Sequence, residues 1–81
     1  METRESVLAK LSKVVEMKES FGVLSGDFGR WEILVDEKNI AYSIKGLIFA
    51  SYPINKIGSV DVGESSISID ISEQANVVLW R

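Results

Sequence analysis

The stretch WEILVDEKNIAYSIKGLIFASY, Trp31 to Tyr52, decides the fold. With Asp36-Glu37-Lys38-Asn39 as the connecting loop, Val35 falls opposite Ile40, Ile33 opposite Tyr42 and Trp31 opposite Ile44. Paired positions of an antiparallel ladder point their side chains to the same side. The register therefore gathers β-branched and aromatic residues on one face and leaves Glu32, Ser43 and Lys45 on the other. A hairpin with one apolar face is predicted, with Trp31 as a buried anchor. The same register sets Gly29 opposite Gly46, and facing glycines predict a bend or bulge that coils the sheet. Beyond Gly46 the alternation fails. Leu47 and Phe49 point one way and Ile48, Ala50 and Tyr52 the other, so one of the two sets turns away from the hairpin's own apolar face. Pro53 limits further pairing.

Upstream, residues 3 to about 20 carry a helical period, with Val7, Leu8, Leu11, Val14 and Val15 in one stripe and Glu5, Ser12, Glu16 and Glu19 opposite. Thr3 suits the N-cap, Glu5 the first turn, Lys18 the last turn and Gly22 the position just past the end. The stripe spans scarcely two heptads, which favours packing on the chain's own sheet over a coiled coil. The segment FGVLSGDFGR, 21–30, suggests a short strand at 22–25 and a tight turn at Gly26-Asp27.

Downstream, strands are predicted at 57–62, 66–72 and 77–81. Ile67, Ile69 and Ile71 face inward and Ser66, Ser68, Asp70 and Ser72 outward. A Gly63-Glu64-Ser65-Ser66 loop pairs Val62 with Ile67 and Val60 with Ile69. A second loop at Glu73-Gln74-Ala75-Asn76 pairs Ile71 with Val78 and brings Trp80 beside Ile69. These elements predict a single α+β domain over 1–81. An N-terminal amphipathic helix packs on a coiled antiparallel β-meander of about five strands (28–36, 40–52, 57–62, 66–72 and 77–81), open to closure as a small barrel.

With 81 residues and 46% hydrophobic content, the chain can bury a core but is near the size where folding is only marginally favourable, so a partner subunit would help. Cysteine and histidine are both absent. That removes thiolate chemistry, disulfides and the commonest general base and metal ligands, and it points away from an enzyme. A net charge of −3, carried after residue 20, disfavours nonspecific nucleic-acid binding. No purely apolar run, Leu47-Ile48-Phe49-Ala50 included, exceeds four residues, which is far too short to span a bilayer. METRESVLAK carries charges where a secretory segment is apolar, so a cytoplasmic location is expected.

Sites of familiar chemistry do not assemble. The loop DEKN lacks the alternating ligands of an EF-hand, GSVDVG lacks the ending of a P-loop, and GESS is not the nucleophile elbow of hydrolases. Asp27-Phe28-Gly29 matches a kinase tripeptide with none of its companions. No cofactor and no metal is expected.

In order of elements, a leading helix followed by strongly bent strands resembles the Sm-like small barrels that bind RNA as rings. The resemblance would give Asp36 and Asn39 the role of base-contacting loop residues and make Asn76-Val77-Val78 the start of the last strand. The spacing from Asp to Asn is one residue short of that pattern, the preceding Gly is missing, and Ser72-Glu73 stands where the family has Arg-Gly. An oligonucleotide-binding small barrel using Arg30, Lys38, Lys45 and Lys56 is therefore the alternative. The principal expectation is a non-enzymatic protein-interaction module, a regulatory, inhibitory or structural subunit. It self-associates as a homodimer through Leu47, Ile48, Phe49 and Tyr52.

Overall fold

The computed structural model describes the chain except for Lys45, Glu73 and the side chain of Ile48. Among the described residues there is one helix, α1 (Arg4–Leu11), and there are eight strands: β1 (Lys18–Ser20), β2 (Val23–Phe28), β3 (Trp31–Val35), β4 (Asn39–Ile44), β5 (Leu47–Pro53), β6 (Ile57–Val62), β7 (Ser66–Ile71) and β8 (Ala75–Trp80). A 3-10 turn, Ile54–Lys56, joins β5 to β6. The strands form two antiparallel meanders, β1-β2-β3-β4-β5 and β6-β7-β8. The α+β composition agrees with the sequence pattern, whereas the single coiled meander of about five strands is replaced by two sheets.

The β3–β4 hairpin has the register that its side-chain pattern dictates: Val35 with Ile40, Ile33 with Tyr42 and Trp31 with Ile44. Alternation on β6 and β7 likewise gives Val62 with Ile67 and Val60 with Ile69. Ile33, Val35 and Ile40 from the first sheet meet Val60, Ile67 and Ile69 from the second, all buried. From α1, Val7 and Leu11 close the same core.

Several predicted elements are divided by turns. The strand expected over 28–36 splits at Gly29-Arg30 into β2 and β3, with Gly29 at φ +60°. The strand expected over 40–52 splits into β4 and β5, with Gly46 at φ +81° in the connection. The two glycines thus do not face each other in a ladder; each supplies a backbone conformation that a Cβ disfavours. Gly26 and Asp27, expected in a turn, lie inside β2 opposite Ile33 and Glu32. A Cβ on Gly26 would come within 2.5 Å of the Glu16 carbonyl oxygen and of Val15 Cγ1, so this glycine lets the segment after α1 lie directly on β2.

The helix expected over 3–20 stops at Leu11. Its start is as predicted: the Thr3 hydroxyl accepts from the Ser6 N–H at 3.1 Å, and the Thr3 N–H donates to Ser6 Oγ at 2.8 Å. At the other end the Ser12 hydroxyl bonds back to the Leu8 carbonyl at 2.7 Å, and the chain leaves the helix through turns closed on Lys10 and Leu11. Val15 is still buried after the helix has ended, so the apolar stripe is satisfied by an irregular segment. Lys18–Ser20 then pairs with β2 through a two-residue turn of Phe21 (φ +51°) and Gly22 (φ +81°). Gly22 does adopt a positive φ, but as a hairpin residue and not as a helix terminator.

The last strand also departs from expectation. Ile71 pairs with Ala75, Ile69 with Val77 and Ile67 with Leu79. Relative to the predicted pairing of Ile71 with Val78, this is an odd shift of three residues. Such a shift exchanges the faces of the strand. Leu79 is buried, and Val78 and Trp80 are exposed.

Candidate interaction surface

The candidate surface is built by a bulge. Along β4 and β5 the pairing runs Ile40 with Tyr52 and Tyr42 with Ala50, then resumes as Ser43 with Ile48 and Ile44 with Leu47, which leaves Phe49 as the additional residue. The bulge restores the parity that the bare alternation lost. Leu47, Ala50 and Tyr52 all sit opposite residues of the hairpin's apolar face, so the expected division into two opposed sets does not occur. Phe49 turns to the same side, with its ring edge-on to Trp31 at 5.5 Å between centroids.

An aromatic cluster results. Trp31 meets Tyr42 edge-on at 5.5 Å, and Tyr42 lies 6.4 Å from Tyr52. Burial first, then the neighbouring Tyr52 hydroxyl, pushes the Tyr42 hydroxyl up to about 12, so it is neutral at physiological pH. Trp31 is half-buried rather than the fully buried anchor expected, because it stands at the rim where the second sheet ends. Its indole N–H donates to the Trp80 carbonyl at 3.1 Å and so ties the first sheet to the end of β8.

Of the residues singled out from sequence, Leu47 is 72% and Phe49 60% exposed, while Tyr52 is half-buried. The side chain of Ile48 lies outside the described residues. Trp80, 65% exposed on the outer face of the second sheet, was missed together with Val78. Phe21, fully exposed at a hairpin tip with a positive φ, was missed too. The signal for it was the Phe-Gly dipeptide ahead of an alternating run.

The loop that would serve an oligonucleotide is a capped turn, and two of the four cations lie apart. The Asp36 carboxylate accepts from the Lys38 and Asn39 N–H groups at 2.8 and 2.6 Å, bonds that hold its pKa below the usual aspartate value. It is occupied as a turn cap. Arg30 and Lys38 lie in the connections at opposite ends of β3, and Lys38 shares its end with Asp36, Glu37 and Glu19. Lys45 is outside the described residues. Among the described residues no three His, Cys, Asp or Glu side chains converge as metal ligands, and no helix is long and apolar enough to cross a membrane. The chain matches no family model, no curated protein and no solved structure.

Proposed function

We propose that this chain is a non-enzymatic protein-interaction module that self-associates through the bulged end of the β4–β5 hairpin. The observation that carries this is the exposure of Phe49 against the half-buried Trp31 ring, in a cluster that continues through Tyr42 to Tyr52, with exposed Leu47 on the same strand. Single exposed apolar residues are ordinary, but a contiguous aromatic and aliphatic patch on so small a protein marks a docking surface. Aromatic residues already held edge to edge lose little side-chain freedom on association, which is why such clusters supply the energetic centre of interfaces. The absence of His and Cys from the sequence supports the non-enzymatic half of the proposal.

The test is light scattering on the wild type and on Phe49→Glu. The wild type is expected to have twice the mass of a 9.0 kDa chain at about 100 µM, well above the micromolar Kd of an interface worth about 8 kcal/mol. Phe49→Glu is expected to be monomeric at the same concentration. A monomeric wild type refutes self-association.

A further inference from the structure

The geometry points to β8 as the seam of a symmetric dimer, in which two copies join their three-stranded sheets edge to edge; this rests on the self-association proposed above. The direction of each backbone group on β8 follows from one bond. The Arg81 N–H donates to the Ser65 carbonyl at 2.9 Å, which continues the pairing of Leu79 with Ile67 and Val77 with Ile69. In an antiparallel ladder, hydrogen-bonded and non-bonded pairs alternate. Trp80, Val78 and Asn76 therefore aim their N–H and C=O groups away from β7, at the free edge. The bond from the Trp31 indole to the Trp80 carbonyl agrees with this parity.

The edges of the two sheets are not equal. β6 is covered by the N-terminal segment, whose Glu2 donates its N–H to the Ile57 carbonyl at 3.1 Å and accepts the Val60 N–H on its carboxylate at 3.0 Å. β5 ends in Pro53 and is distorted by the bulge at Phe49, while β1 is three residues long and carries Lys18 and Glu19. Proline, bulges, charges and short length are the devices that block strand addition. β8 has none of them. Its six residues, Ala75 to Trp80, are uncharged and pair with β7 without a register shift, and four of the six are exposed.

The occupant is a second copy of the same strand. The chain carries a net charge of −3, so two copies repel wherever acidic residues meet, yet Ala75–Trp80 places no charge on either side of the seam. A two-fold axis through Val78 pairs Val78 with its own counterpart and Asn76 with Trp80 of the second copy. That arrangement satisfies the outward groups of all three residues, since the Trp80 carbonyl has a second lone pair beside the one used by Trp31. Val78 and Trp80, 41% and 65% exposed, cover one another on the outer face. Trp31, bonded to the end of β8 and in contact with Phe49, makes the aromatic patch continuous with the seam.

Charge reversal across the axis tests this arrangement. Val78→Lys and Val78→Glu are each expected to run as monomers by light scattering at about 100 µM, because like charges face each other across the two-fold. Mixed in equal amounts they are expected to regain dimer mass. Recovery on mixing needs folded partners, so it separates a lost seam from a lost fold, and circular dichroism of each variant alone checks the fold directly. If Val78→Lys stays dimeric while Phe49→Glu is monomeric, or if the folded variants fail to recover on mixing, the β8 seam is wrong and the patch acts alone. A wild type that is monomeric at that concentration sinks self-association itself and leaves β8 open to an extended segment of another protein.

Discussion

β6 and β8 are the two edges of one three-stranded sheet, and they differ in how their backbone is satisfied. On β6 the outward groups of Ile57 and Val60 are taken by Glu2, backbone and carboxylate together. The carboxylate also accepts from Ser6 at 2.5 Å and pairs with Lys10, so one residue fastens the N-terminal segment, the helix and the sheet. On β8 the corresponding groups of Asn76 and Val78 face outward from an uncharged strand with exposed side chains. The comparison teaches that this sheet closes one edge with a local segment and leaves the other without a cover. The open edge takes its meaning from that difference, because β8 also lacks the proline, bulge, charges and short length found at β5 and β1.

Breaking the closed edge should have the largest effect. Glu2→Ala strips the buried Val60 N–H of its acceptor and releases Ser6 and Lys10, and it is expected to cost about 2–3 kcal/mol in chemical denaturation. The Glu2 interactions also set a pH dependence. Burial alone would raise the carboxyl, but the bonds from Lys10, Ser6 and the Val60 N–H outweigh it and hold the group below its usual value of 4.5. A depressed folded-state value stabilises above the unfolded value, and that contribution is lost as the pH falls from about 4.5 through the lower folded value. Glu2→Gln, which can still accept from Val60, should flatten part of the acid limb of a stability–pH profile. Asp36 contributes with the same sign, so the quantity to compare is the difference between wild type and Glu2→Gln. An unchanged acid limb in the variant would mean that Glu2 does not carry this dependence.

What could be read from sequence depended on whether the pattern offered one choice or two. β3–β4 alternates apart from Leu34 and Ala41, and β6–β7 alternates from Val60 on, so shifting either by one residue would bury Glu32 or Asp70; these registers follow from residue types, whereas the irregularity between Ile57 and Ser59 does not. β8 gives no such choice. Val77-Val78-Leu79-Trp80 is apolar on both faces, and it is the turn bond from the Gln74 N–H to the Ile71 carbonyl that selects Val77 and Leu79 to face inward. The same ambiguity hid the bulge, because every residue from Leu47 to Ala50 is apolar. Leu47 and Phe49 are candidates from sequence only because both sets of that strand are; alternation alone does not choose between them, and the bulge puts them on the side of Trp31. The helix end was hidden because Val14 and Val15 serve the core without helical backbone, and the cover provided by Glu2 depends on contacts across 58 residues of sequence.

Removing the link between the two sheets should have a smaller effect than opening β6. Trp31→Phe keeps an aromatic ring beside Tyr42 and Phe49 but deletes the donor to the Trp80 carbonyl, a neutral hydrogen bond at a partly exposed site. The expected loss is about 1 kcal/mol by chemical denaturation. In this variant amide exchange should rise more at the end of β8 than at its start, because the deleted bond is made at that end. A loss of several kcal/mol would instead show that the indole fills space the core needs and that Trp31 is the buried anchor after all.

The smallest effect on the monomer is expected at the open edge itself. Val78 is 41% exposed, and its backbone groups make no bond to β7. Val78→Lys replaces a strong strand former with a weaker one and removes no core contact, since Leu79 and Val77 carry the inward side of the strand. At a protein concentration low enough to keep wild type and variant both monomeric, their unfolding free energies should agree within about 1 kcal/mol. Raising the concentration should then separate the two curves. A species that binds only the native fold stabilises it by mass action, and here that species is a second native chain available to the wild type and denied to the variant. The wild-type midpoint is expected to rise with concentration while that of Val78→Lys stays fixed. A large loss already present at the lowest concentration would place Val78 in the fold's own packing, and β8 would then be an edge already covered, like β6.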